Sequence, residues 1–354
     1  MAGRKSCRLI IEREYTLFRQ LRLIRLSAIE DYSHIELTNT PMNTVINKNN
    51  QSITLSVDSD MFRYEIWPHA GGILNRWSMK LQDEWFDIIH AFDDIHDFRD
   101  NLTQKGFPSC KLSPYACRIR DGRYTFENKD YQIGKFGYDR HSIHGLLYDM
   151  PFEVVRVDEL EHSTSILLGL NYMGTDAGFP FEYSIYIEYI VSNTGEVRYR
   201  TKVQNTGSFS LPLMDGWHPY FSLPSGLEDC VLAIDADECL EFDQDLIPTG
   251  QLRQYNHFVG GNKVEKIALD HCFPLQDKLG LVCTLTDVAS GLALEVKAIS
   301  NYPYLQLFIP PDRRSIAIEL LSGAPDAFNN NMGLITLQPS EVVEFECVYS
   351  IVKL

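Results

Sequence analysis

Beyond Ser52 the chain alternates apolar and polar residues with a period of two, in short runs that stop at Gly, Asn, Asp or Pro. Such punctuated alternation predicts β-strands that bury one face and leave the other wet. Tyr183, Ile185, Ile187, Tyr189 and Val191 share one face of a run, and Asn193, Thr194 and Gly195 then turn the chain. Val197, Tyr199, Thr201 and Val203 resume the pattern, with Arg198, Arg200 and Lys202 between them. This is the signature of a β-hairpin. Similar runs at residues 163–170, 292–299, 304–309, 316–321 and 342–352 predict further strands. Helical spacing is nearly absent after residue 45, apart from a turn expected between Trp85 and Phe98.

The pattern predicts an all-β protein. Many strands must hide their edges, and a chain of 354 residues has enough of them for a large two-sheet antiparallel sandwich. No fixed-period repeat is present, which argues against a propeller or a β-helix. Residues 46–354 are expected to form this one domain, with residues 1–45 as an N-terminal extension of different character. In its first thirty residues Arg4, Lys5, Arg8, Arg13, Arg19, Arg22 and Arg25 face only Glu12, Glu14 and Glu30. Ile10, Leu17, Leu21, Ile24 and Ala28 recur there at helix spacing, so the segment permits a basic amphipathic helix. Met42, just before the polar run 43–51, is an alternative natural start.

Charge and cysteine usage narrow the partners. A formal charge of -16 argues against nucleic acid or an anionic membrane and in favour of a neutral small molecule. The eight cysteines show no CxxC pair and no zinc spacing, which reads as buried thiols in a reducing compartment. The apolar patch Leu9–Ile11 is broken at once by Glu12, Arg13 and Glu14, and no run approaches the roughly 20 residues of a membrane span. A cytoplasmic protein, monomeric or dimeric, is expected.

Four polar groups stand in odd surroundings: His144 in Ser142-Ile143-His144-Gly145, His218 in Trp217-His218-Pro219-Tyr220-Phe221, Asp270 in Leu269-Asp270-His271, and Glu319 inside the apolar run Ile316–Leu321. A carboxylate in an apolar strand is costly unless it faces a polar pocket, so Glu319 is either a functional group or a structural hydrogen-bonding one. His218 is either a core histidine or a site residue. Pro219 interrupts strand pairing beside it, and Trp217 and Tyr220 offer aromatic faces on which a sugar ring can stack. Arg118 and Arg120 alternate, so only one can enter a given pocket. His141 and His144, three apart on a strand, point to opposite faces and make a poor metal pair. The acidic run Asp93, Asp94, His96, Asp97 and Asp100 lacks the glycine and ligand order of a calcium loop and reads as solvated surface. No GxSxG, Walker, GxGxxG or HExxH pattern occurs. What remains is acid and base chemistry with no cofactor and no metal.

At these residues the sequence resembles the aldose 1-epimerase (galactose mutarotase) family. Pro114-Tyr115-Ala116-Cys117-Arg118-Ile119-Arg120-Asp121-Gly122 resembles its arginine strand, Ile143-His144-Gly145 its first histidine motif and Trp217-His218-Pro219-Tyr220-Phe221 its second. Leu246-Ile247-Pro248-Thr249-Gly250, Leu269-Asp270-His271-Cys272-Phe273, and Glu319 with Pro325-Asp326-Ala327-Phe328-Asn329 follow in order. The resemblance implies the family's large antiparallel β-supersandwich, a cleft for a sugar, and interconversion of the α and β anomers of a free aldose. It implies that Glu319 takes the anomeric proton and a protonated His218 donates to the ring oxygen. Arg118, Asp270 and His144 would then hold ring hydroxyls, with His144 assisting at the ring oxygen.

Three rival functions follow from the same residues. A glycosidase needs two carboxylates flanking the bond, and Asp270 is the only evident second one. A hexose-6-phosphate mutarotase needs a cationic clamp for the phosphate. A catalytically silent sugar-binding protein needs neither.

Overall fold

The computed structural model describes residues 42–48, 53–135, 139–276 and 279–354. The N-terminal helix permitted by the sequence lies outside them. Three antiparallel sheets carry the fold. The first is a five-stranded meander, Asn43–Lys48, Ile53–Asp58, Phe62–Trp67, Ile73–Leu81 and Glu84–His90. Its first strand pairs in continuous register with the second, Asn43 opposite Asp58, and so straddles the boundary expected at residue 46. Glu84–His90 is a strand, and the helix runs Ile95–Asn101. It starts where it does because the Asp94 carboxylate accepts the amides of His96 and Asp97. That N-cap accounts for part of the acidic run.

The second sheet has nine strands, and its centre is the hairpin read from the sequence. Glu182–Ser192 pairs with Glu196–Asn205, and Val342–Lys353 lies against the latter. The apolar phase of the hairpin is buried throughout, Tyr183, Ile185, Ile187, Tyr189, Val191, Val197, Tyr199, Thr201 and Val203, joined by Ser184 and Asn205. The third sheet orders Asp270–Pro274, Tyr304–Phe308, Ile316–Leu321, Gly216–His218 and Cys110–Leu112 side by side, with Tyr220–Phe221 also paired to the central strand.

The second and third sheets pack face to face. Trp217 sets its ring 4.9 Å from that of Tyr199 and 5.6 Å from that of Tyr189. The Tyr349 hydroxyl of the nine-stranded sheet donates to the Ile318 carbonyl of the other at 3.1 Å. The first sheet joins the same core through Trp77, edge-on to Phe221. Burial of this one continuous apolar interior is the main favourable term of the fold. The seven cysteines among the described residues are free and buried, six of them within it and Cys272 in a small cluster with Leu240 and Ala324. No helix among the described residues is long and apolar enough to cross a membrane.

Candidate active site

The outer face of the third sheet gathers the odd polar residues. Glu319 sits on its central strand and is 1% exposed, with Gln306 directly opposite it in the ladder. The strand carrying His218 pairs with the Glu319 strand at Gly216 opposite Leu321. Pairing resumes at Tyr220 opposite Ala317. Pro219, which has no N–H to give, falls in the interruption. His218 therefore stands beside Glu319, its Nε2 3.3 Å from Glu319 Oε1. Tyr220 stacks its ring on that of His218 at 4.9 Å and donates its hydroxyl to the Gly106 carbonyl.

His144 arrives from a turn on the other side. Its own φ is +60° and that of Gly145 is +84°. A Cβ at Gly145 would meet the Ser113 carbonyl oxygen at 2.2 Å, so the glycine is required by close approach as well as by its φ. The turn is pinned by the His144 N–H on the Cys117 carbonyl. The His144 ring meets those of His218 and Phe107 edge-on, each at 4.9 Å.

Asp270 begins the outermost strand of the sheet and accepts the Gln306 side-chain amide at 2.8 Å. Arg118 lies within electrostatic reach of both Asp270 and His144, and among the described residues its guanidinium has no ion pair. Arg118 and Arg120 are separated here for a reason other than the alternation expected, since residues two apart share a strand face: the strand ends at Ile119 and the turn Arg120–Gly122 carries Arg120 away, to pair with Asp243 and Asp245. His141 also turns that way, accepting the Asp121 N–H at 3.1 Å with its far nitrogen 4.0 Å from Asp245. Asp270 also borders a cavity of about 370 Å³ lined by Leu240, Phe242, Arg253 and His271.

Trp217 requires a correction. Alternation puts it on the opposite face from His218, where it is 1% exposed and packs on Tyr189, Tyr199 and the Lys111 ammonium. It belongs to the core between the sheets and offers no face to a sugar. Two residues that the sequence reading passed over do reach the site. Gln306 carried the same signal as Glu319, a polar residue in an apolar strand. Phe107 sits in a loop with φ +57° and carried no signal.

Burial governs the electrostatics. It pushes His218 down to about 4 and His144 well below the usual histidine value, with His218 and Arg118 adding to the effect there. Burial raises Glu319 well above the carboxylate range, and Asp270 adds to it. Burial also raises Asp270, against the opposing pull of Arg118 and the Gln306 amide. The expected protonated His218 beside an ionised Glu319 is thus disfavoured, and the neutral pair is preferred. His144 Nδ1, His218 Nδ1, Glu319 Oε2 and Gln306 Oε1 are all buried without a hydrogen-bond partner among the described residues. Four such atoms in one cluster mark a place built to receive a polar molecule.

The profile of the aldose 1-epimerase family matches residues 55–350. The chain belongs to the aldose 1-epimerase family. Among relatives, an uncharacterized protein of Escherichia coli named YihR is 24% identical over 238 residues, 64% of this chain and 73% of that protein. The galactose mutarotase of Bos taurus is 25% identical over 202 residues, a match that spans 55% of this chain and 56% of the bovine protein. Solved structures show the epimerase-family fold over nearly the whole described chain. A galactose mutarotase-like protein of Clostridium acetobutylicum superposes with a TM-score of 0.75 at 17% identity, covering 89% of this chain and 99% of that one. A homologue from C. elegans gives 0.73 at 19%, covering 88% and 99%.

Proposed function

We propose that this epimerase-family protein interconverts the α and β anomers of a free aldose by opening and reclosing its ring. The observation that carries the reading is the 3.3 Å approach of His218 Nε2 to Glu319 Oε1, both buried, each with a second polar atom left unpartnered.

Ring opening takes a proton from the anomeric hydroxyl and gives one to the ring oxygen, two atoms on the same carbon. The reaction therefore needs a pair of groups that holds one proton between them. Glu319 and His218 meet that need in either distribution, as carboxylate with imidazolium or as carboxylic acid with neutral imidazole. Burial favours the second distribution, in which neutral His218 can accept and protonated Glu319 can donate. The substrate's oxygens replace water around the pair, and reclosure after rotation about the C1–C2 bond returns the proton. Arg118, Asp270 and Gln306 are the groups placed to hold ring hydroxyls, with His144 beside the acid–base pair.

Free sugars are favoured over 6-phosphates because Arg118 faces a carboxylate and Arg253, on the cavity that Asp270 borders, is already tied to Cys239 and His271 beside Glu241 and Asp243, whereas a phosphate asks for a cluster of free donors. Polarimetry on freshly dissolved α-D-glucose and α-D-galactose tests the reading. Faster approach to anomeric equilibrium with the protein, and not with Glu319→Gln, is the expected result. Equal rates for protein and buffer would exclude free hexoses as substrates.

A further inference from the structure

Directly behind His218, on the core face of the sheet, lies an ion pair with no exposure on either side chain. Lys111 Nζ donates to Asp215 Oδ1 at 2.5 Å and to the Gly216 carbonyl at 3.2 Å, and sits 4.3 Å over the Trp217 ring. The Tyr302 hydroxyl donates to the same Asp215 oxygen at 2.6 Å. The Asp215 N–H donates to Ser322 Oγ at 2.8 Å, and the Ser322 N–H donates back to the Asp215 carbonyl at 2.9 Å.

Buried ion pairs are seldom the cheapest way to hold a core together, since apolar residues of similar shape often serve equally well. This pair is therefore better explained by what it fixes. Asp215 and Gly216 immediately precede Trp217 and His218. Ser322 follows the Glu319 strand, and Tyr302 leads into the strand that carries Gln306. Register pairing between the His218 and Glu319 strands skips the two residues themselves, running from Gly216 to Tyr220, with one backbone bond in the gap, Ile318 N–H to the Pro219 carbonyl at 3.3 Å. That bond lies on the Tyr220 side, so the ties to Asp215 and Gly216 are what fix the other end of the gap.

We propose that the buried Lys111–Asp215 pair is a positioning element that holds His218 against Glu319 in register with Gln306. The proposal rests on the acid–base reading above, but its test does not depend on sugar turnover alone. Around His218 the titratable groups are Glu319 from the neighbouring strand, His144 from the turn, Tyr220 stacked on its ring and Cys110 across the ladder.

The double variant Lys111→Met/Asp215→Leu removes both charges and leaves none unpaired. Two quantities are read on the folded protein: the His218 imidazole titration by NMR, and kcat with KM for mutarotation. The expected result is a His218 midpoint displaced from its wild-type value, a kcat lowered about 10- to 100-fold and a KM within about threefold of wild type, the pattern of misplaced reacting groups. A folded double variant with wild-type titration and wild-type kcat overturns the proposal. If the double variant does not fold, Asp215→Asn decides, since it removes the carboxylate that Lys111 binds while keeping the side chain's shape and the backbone ties to Ser322. A displaced His218 midpoint there supports the proposal, and an unchanged midpoint with unchanged kcat overturns it. A wild-type protein that turns over no sugar refutes the function instead, and the titration alone then judges the positioning.

Discussion

Gln306 faces Glu319 across the ladder and donates its side-chain amide to Asp270, 2.8 Å away on the next strand. One neutral side chain thus bonds one carboxyl group and stands opposite the other, and it keeps its own Oε1 unpartnered. Gln306→Ala is expected to loosen Asp270 and raise KM for the sugar about tenfold, the worth of one hydrogen bond to a charged group. Saturation kinetics by polarimetry or by a coupled dehydrogenase assay checks it.

Glu319→Gln removes one member of the pair while keeping its shape, and His218→Gln removes the other while keeping a polar side chain in its place. Each should lower kcat by about 10²- to 10⁴-fold, the range of general acid–base catalysis. Glu319→Gln should not lower the melting temperature, because the raised carboxyl contributes strain and not stability at neutral pH.

The pH dependence follows from the two displaced groups. With neutral His218 and protonated Glu319, the pair gains an unwanted second proton only below about 4, where His218 titrates. It loses its working proton only above the raised Glu319 value. The kcat/KM profile should therefore stay high as pH falls through 6.5, the ordinary histidine value, and decline near 4. A profile whose acid limb lies at 6.5 contradicts this arrangement.

Stability gives the same sign. Between 6.5 and about 4 the unfolded chain protonates His218 and the native protein does not, so stability falls as pH falls through that window. The fall in melting temperature over it should be smaller in His218→Gln than in wild type.

Trp217 separates core from cleft. Trp217→Ala should cost about 3–5 kcal/mol in urea unfolding, as for other buried Trp truncations. It should leave KM for the sugar unchanged on the folded fraction, whereas a stacking platform would show its loss in KM. Gly145→Ala should strike both quantities, since its Cβ collides with the Ser113 carbonyl and the turn that presents His144 must shift.

Period-two alternation made most of the sheet structure legible before any coordinates, because each strand buries one face only. Tyr183 to Val203 is the clearest case, a hairpin whose apolar phase is buried at every position. Glu319 was legible for the complementary reason, since an acid in an apolar strand must find polar company. Gln306 gave the same sign in a shorter run. Trp217 was misread through its neighbour: adjacency in sequence places two residues on opposite faces of a strand, so a stacking role for one half of Trp217-His218 excludes it for the other. Phe107 and the Lys111–Asp215 pair were not legible at all. Lys111 and Asp215 lie 104 residues apart, and only the pairing of distant strands brings them together.

Asp270 lies on the free margin of its sheet, whereas Glu319 lies on a strand bonded on both sides. Under the proposed chemistry the two tasks of the site therefore have unequal freedom to change. The proton-transferring centre is locked into a frame where any shift propagates to neighbours in both directions. The hydroxyl-reading margin can be remodelled from one side, so the choice of sugar can drift over evolutionary time while the reaction stays the same.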